Sequence, residues 1–148
     1  MDLKFKLNGN NNEVDLSKFK GKKVVLYFYP KDNTKGCTTE ALEFSELKTE
    51  FEKENTVVFG VSKDSVESHK KFIEKNSITV DLLSDPDGEI HNKFKVIGTK
   101  VMCGRESIGT IRSTFIFDEK GKLIKEFRNV KSKNHAKTVL NFIKEYEV

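Results

Sequence analysis

What the chain withholds narrows its reading first. It has no tryptophan, only two prolines (Pro30 and Pro86) and only two cysteines, Cys37 and Cys103. No Cys-x-x-Cys pair occurs, and no Cys/His set has zinc spacing, so neither a zinc ribbon nor a dithiol redox motif is expected. No apolar run approaches the roughly 20 residues that span a bilayer. The opening stretch MDLKFKLNGNN lacks the apolar core of a secretory signal. The expected compartment is therefore the cytoplasm, where a structural disulfide is not expected. Arginine is scarce too: Arg105, Arg112 and Arg128 are the only three among 27 basic residues. The lysines are scattered among 23 acidic residues with no block of like charge, so the net charge of +4 describes a solvated surface, not a nucleic-acid stripe. In so lysine-biased a chain, an arginine hints that its planar fork is wanted.

What is present fits one soluble domain over residues 1–148, with 36% hydrophobic and 34% charged residues. The chain is organised around Val24 to Glu40. Val24-Val25-Leu26-Tyr27-Phe28-Tyr29 is apolar on both faces and rich in β-branched and aromatic residues, which predicts a central strand covered on both sides. Pro30 and the polar residues after it end the strand. A helix is expected to begin near Cys37 or Thr38, with Ala41, Phe44, Leu47 and Phe51 at helical spacing on its inner face. A cysteine at a helix start faces unpaired N–H groups and the positive end of the macrodipole, a setting that favours thiolate over thiol.

Along the rest of the chain, Leu3, Phe5 and Leu7 against Val14 and Leu16 predict an N-terminal β-hairpin. Val57–Val61 predicts a second buried strand. Asp64 with Glu67 has the spacing of a capping box for a helix carrying Val66, Phe72 and Ile73. Ile78, Val80 and Leu82 alternate as a strand, and Ile90–Phe94 reads as a short helix. Residues 96–112, punctuated by Gly98, Gly104 and Gly109, read as a loop or irregular hairpin. Phe115 and Phe117 pair with Leu123–Phe127 in a further hairpin. Ser132 or Asn134 opens a last helix with Ala136, Val139, Leu140, Ile143 and Tyr146 inward. His69, His91 and His135 have no metal-like spacing and are expected at the surface. The order of elements is that of an α/β sandwich on one central sheet.

Three segments carry a family resemblance. VVLYFYPKDNTKGCTTEALEF contains a PxxxTxxC pattern at Pro30, Thr34 and Cys37; the others are GTIRSTFIFDEKGKL and LLSDPDGEIHNKFKV. Together they resemble the peroxiredoxins, specifically the bacterioferritin comigratory protein or peroxiredoxin Q subfamily. The resemblance implies a thioredoxin-like fold: a central mixed β-sheet flanked by helices, with an N-terminal β-hairpin extension. It implies a cysteine-dependent peroxidase acting on hydrogen peroxide or small organic hydroperoxides, with no metal or organic cofactor. Recycling by thioredoxin or another dithiol donor, and a monomeric state, follow from the same likeness.

By that resemblance Cys37 is the attacking thiol and Arg112 the family arginine. Thr34 and the N–H groups near Gly36 and Cys37 are expected as donors to the charge that builds on sulfur and oxygen. Glu40 would orient Arg112, and Pro30 would wall the pocket from water. Two departures stand out. Lys35 replaces the proline common before the Gly-Cys pair. The resolving cysteine found in many members is missing at both its usual places, Leu42 and the Ile90-His91-Asn92 stretch. Cys103 is left as a possible resolving thiol, or as an incidental one with resolution by an outside thiol. Two rival readings differ in class: a thioredoxin-like disulfide reductase, which would reduce insulin, and a catalytically idle thioredoxin-fold adaptor, whose Cys37 would react with peroxide no faster than free cysteine.

Overall fold

The computed structural model describes residues 3–10, 12–102 and 104–146. The expected central strand forms as β3 (Lys23–Phe28), and its two-sided apolar run has a two-sided use. Val25, Tyr27 and Tyr29 enter one core with residues of the helices α1 (Lys35–Glu46), α2 (Lys48–Lys53), α3 (Val66–Asn76) and α5 (His135–Glu145). Val24, Leu26 and Phe28 enter a second core with Leu3, Leu7 and Leu16, and with Ile90 of the short helix α4 (Glu89–Lys93). Burial on both faces leaves β3 no solvent side, which is why it carries no alternation.

The N-terminal hairpin pairs β1 (Lys6–Gly9) with β2 (Glu13–Asp15). With β4 (Thr56–Ser62), β5 (Asp81–Ser84), β8 (Ser113–Phe117) and β9 (Leu123–Phe127) these strands make a seven-stranded mixed sheet in the order β2-β1-β5-β4-β3-β8-β9. β3 pairs in parallel with β4 and antiparallel with β8, with Phe28 opposite Ser113. That register brings the end of β3 and the start of β8 to the same edge. The expected sandwich, hairpin extension and closing helix are all present.

Several local expectations are corrected. Residues 97–110 are a regular hairpin, β6 (Ile97–Met102) with β7 (Arg105–Thr110), standing as a separate two-stranded sheet. Its base is closed by the Ile111 N–H bonding to the Val96 carbonyl at 2.6 Å. The cap of α3 is Ser65, whose hydroxyl accepts from the Ser68 N–H, and not Asp64. The Asp64 carboxylate is occupied instead by the Asp32 N–H and the Ser62 hydroxyl, both at 2.8 Å. All three histidines are buried, not exposed. Each found a polar partner that sequence spacing does not reveal: His69 with Asp32, His91 with Asp85, and His135 with Thr114. No helix among the described residues is long and apolar enough to cross a membrane.

Candidate active site

Helix α1 starts at Lys35, two or three residues before the expected Cys37 or Thr38, with Thr34 in extended geometry as its N-cap. Its first intrahelical bond runs from the Thr38 N–H to the Thr34 carbonyl at 2.9 Å. The N–H groups of Lys35, Gly36 and Cys37 precede that bond and belong to the open, positive end of a 12-residue helix. Cys37 lies in this first turn with its residue 1% exposed, packed into the core that β3 shares with α1 and α5.

Arg112 arrives from the other side of the sheet's edge, one residue before β8. Its backbone carbonyl is held by the Val130 N–H at 3.0 Å. One guanidinium arm, Nη2, donates to Cys37 Sγ at 3.4 Å, and the other, Nη1, to Glu40 Oε1 at 2.6 Å. The fork thus joins a thiol and a carboxylate one helical turn apart, a geometry that lysine's single ammonium cannot reproduce. Burial alone would lower the guanidinium's pKa, but Glu40 and Cys37 raise it above its ordinary value.

Glu40 is fully buried, and its second oxygen, Oε2, has no hydrogen-bond partner. Desolvation pushes its pKa up to about 7, against the downward pull of Arg112. Tyr27 stacks on Phe44 with ring centroids 4.5 Å apart, and its hydroxyl is likewise buried without a partner. Burial, then the nearby Glu40 and Cys37, hold that phenol well above its usual pKa. His135 Nε2 lies 2.7 Å from the Thr114 hydroxyl. Burial and then Arg112 bring this imidazole down to about 4, so it is neutral near pH 7.

Gly36 stands where a Cβ would come 3.1 Å from Arg112 Nη2 and 3.4 Å from Ser132 Oγ. The glycine is thus a clearance for the guanidinium. Pro30 is half-buried directly beyond β3. Thr34 is placed differently from expectation: it is exposed, and its hydroxyl donates to the Lys31 carbonyl at 2.8 Å. The donor hydrogen foreseen for the site is engaged within its own loop. Cys103 lies outside the described residues. Among the described residues, no group of three or more His, Cys, Asp or Glu could hold a metal ion. His135 and Thr114 were not foreseen near the arginine, and nothing in their spacing signals it.

A buried cysteine with a guanidinium on its sulfur can stabilise negative charge there and on an oxygen brought to it. Comparisons with known proteins agree with that chemistry. The AhpC/TSA family pattern matches residues 1–126. A putative peroxiredoxin of the bacterioferritin comigratory type from Helicobacter pylori strain J99 is 53% identical over 133 residues, covering 90% of this chain and 88% of the relative. The corresponding peroxiredoxin of Bacillus subtilis is 46% identical over 140 residues, covering 94% and 89%. Among solved structures, the Xanthomonas campestris bacterioferritin comigratory protein, studied for alkyl peroxide reduction, superimposes with a TM-score of 0.90 at 38% identity, covering 97% of this chain and 92% of that one. A peroxiredoxin Q variant from Xylella fastidiosa gives 0.91 at 42% identity, covering 96% and 89%. The chain belongs to the AhpC/TSA family, as a thioredoxin-fold peroxiredoxin of the bacterioferritin comigratory type.

Proposed function

We propose that Cys37 is the peroxidatic thiol, Arg112 its charge partner and Glu40 the group that orients the arginine. The observation that carries this reading is the forked guanidinium, with one arm on Sγ and the other on Glu40. As thiolate, Cys37 attacks one oxygen of a hydroperoxide. An S–O bond forms, the O–O bond breaks, and its electron pair leaves with the far oxygen, which takes a proton and departs as water or alcohol. Sulfur is oxidised by two electrons to a sulfenic acid. Arg112 and the open N–H groups of the first turn of α1 face the region where charge develops, without reorganising to do so. Gly36 leaves room for that guanidinium, and Pro30 bounds the loop side. The substrate range is hydrogen peroxide and small organic hydroperoxides, consistent with the alkyl peroxide reduction studied in the Xanthomonas relative.

Recycling takes two thiols. The first attacks the sulfenic sulfur, forming a disulfide and releasing water; the second displaces Cys37 and returns it to the thiol. Leu42, Ile90, His91 and Asn92 offer no sulfur where many members carry the resolving cysteine. We take thioredoxin or another dithiol as the donor, a monomer as the working unit and the cytoplasm as its compartment, with Cys103 or an outside thiol as the first to attack. Cys103 enters only if it reaches Cys37.

Stopped-flow peroxide consumption by wild type, Cys37→Ser and Cys103→Ser tests the assignment. The first substitution abolishes the fast phase, and the second spares it. Fast consumption surviving in Cys37→Ser overturns the reading. Mass spectrometry after one equivalent of peroxide then separates a Cys37 sulfenic acid from a Cys37–Cys103 crosslink.

A further inference from the structure

The loop between β3 and α1 is six residues, 29–34, and such a loop is ordinarily a mobile surface connection. Here a charged side chain of the loop points inward. Asp32 is buried, and both its oxygens are used. Oδ1 accepts from the Tyr29 hydroxyl at 2.6 Å. Oδ2 accepts from the Ser68 hydroxyl at 2.7 Å and stands 2.8 Å from His69 Nδ1. His69 is itself fully buried, and its Nε2 lies 3.0 Å from the Leu83 carbonyl. The backbone of Asp32 is fixed as well, its N–H donating to Asp64 Oδ2 at 2.8 Å. Asp64 in turn accepts from Ser62 through Oδ2 and from the Ser84 hydroxyl through its carbonyl, at 2.8 and 2.6 Å.

One loop residue is thus tied to Tyr29 just past β3, to α3 through Ser68 and His69, and through Asp64 to the ends of β4 and β5. Burial alone would raise the Asp32 carboxyl, yet the bonds from His69, Tyr29 and Ser68 hold it below its ordinary pKa. A buried charged cluster breaks even on stability only when every member is satisfied. With both Asp32 oxygens and its N–H engaged, the loop that leads into the first turn bearing Cys37 has a fixed starting point for that turn. Nothing in the peroxidatic chemistry uses Asp32 or His69 directly.

Resting on the assignment of Cys37 as the peroxidatic thiol, we propose that the Asp32–His69 pair is a positioning device that holds the first turn of α1, and so the sulfur, in register with Arg112. Asp32 and His69 act through the loop and touch no reacting atom. A looser loop misplaces the sulfur for peroxide attack. It also frees a buried sulfenic acid for an outside thiol, so the two half-reactions shift in opposite directions. General destabilisation of the core does not produce such a split.

The test measures both half-reactions separately by stopped flow: oxidation of the reduced protein by hydrogen peroxide, and reduction of the sulfenic form by dithiothreitol. In Asp32→Ala the oxidation rate constant falls roughly ten- to a hundredfold, the scale of a misplacement of about 1 Å, while reduction accelerates. Asp32→Asn restores oxidation to within about threefold of wild type, because its amide can donate to Nδ1 in the tautomer that carries the ring hydrogen on Nε2, facing the Leu83 carbonyl. Leu16→Ala, a truncation in the second core that does not contain Cys37, lowers the melting temperature and leaves both rates unchanged. Should Asp32→Ala not fold, the double variant Tyr29→Phe, Ser68→Ala removes two of the anchoring hydroxyls while keeping the His69 contact to the carboxylate, and shows the same split at roughly three- to tenfold. Oxidation within threefold of wild type in the folded variant, or both rates falling together, overturns the proposal. An inert wild type would instead strike at the peroxidase assignment itself.

Discussion

At the scale of single residues, two buried groups beside Arg112 pull the pH dependence of stability in opposite directions. Glu40 has a folded pKa raised to about 7 from 4.5. Folding takes up a proton there, so its contribution is fully present below about pH 4.5 and is lost as pH rises through 7. His135 has a folded pKa depressed to about 4 from 6.5. Its contribution is present above pH 6.5 and is lost as pH falls through 4. The windows overlap between about 4.5 and 6.5, so in the wild type the two slopes offset each other. Each is exposed by removing the other. Glu40→Gln should leave stability rising with pH across that window, and His135→Asn should leave it falling. Urea midpoints at pH 5 and pH 7.5 measure both, and identical slopes in the two variants would contradict the assignment.

Gly36 gives a second prediction at this scale. Its missing Cβ is 3.1 Å of clearance from Arg112 Nη2. Gly36→Ala makes the guanidinium give by a few tenths of an ångström, disturbing its contact with a sulfur it holds at 3.4 Å. The peroxide rate constant should fall by about tenfold, with the melting temperature little changed; an unaltered rate would show that the arginine has room to spare. Cys37, Arg112 and Glu40 were all legible in the sequence through motif and resemblance, and the structure brings them together. The bond of the Thr34 hydroxyl to the Lys31 carbonyl was not legible, because a threonine at a helix start can give its hydrogen to a carbonyl three residues back as easily as to a ligand.

At the scale of elements, the two-sided strand and the amphipathic helices were readable because burial leaves a direct imprint on residue type. The histidine partners were not. Asp32 and His69 are 37 positions apart in the chain, and a lone aspartate in a polar loop looks like any turn former. The same limit hid the clearance that β4 gives to β3. Gly60 pairs with Tyr27, and a Cβ at Gly60 would stand 2.6 Å from Tyr27 Cζ and 2.8 Å from Leu82 Cδ2. A glycine inside a strand usually marks such a close approach. Gly60→Ala should destabilise the protein by about 1–3 kcal/mol, read from urea unfolding. A loss below ~0.5 kcal/mol would mean that Tyr27, stacked on Phe44, swings aside more freely than its packing suggests.

At the scale of the whole molecule, two cores share one sheet, and the reacting groups sit where the C-terminal end of β3 meets the N-terminal end of β8. Open α/β sheets place ligands beyond the carboxyl ends of their parallel strands, and Cys37 follows that rule through the loop and helix after β3. The antiparallel neighbour adds what a parallel one could not: a strand that begins, and does not end, beside the thiol. That mixed direction was only partly legible, since the alternation of Phe115 and Phe117 fixes a strand but not its sense.

The closed base of the β6–β7 hairpin bears on this arrangement. Because Ile111 already meets Val96, the chain enters and leaves that excursion at a single point before turning to Arg112. Its length is therefore decoupled from the reacting centre. Replacing residues 98–109 with a short glycine-rich turn should preserve peroxide oxidation while removing Cys103 along with any contribution it makes to resolution. A bridge of that kind insulates: whatever the far end of the hairpin does in restoring the thiol, it does without moving the guanidinium that helps the thiol strike.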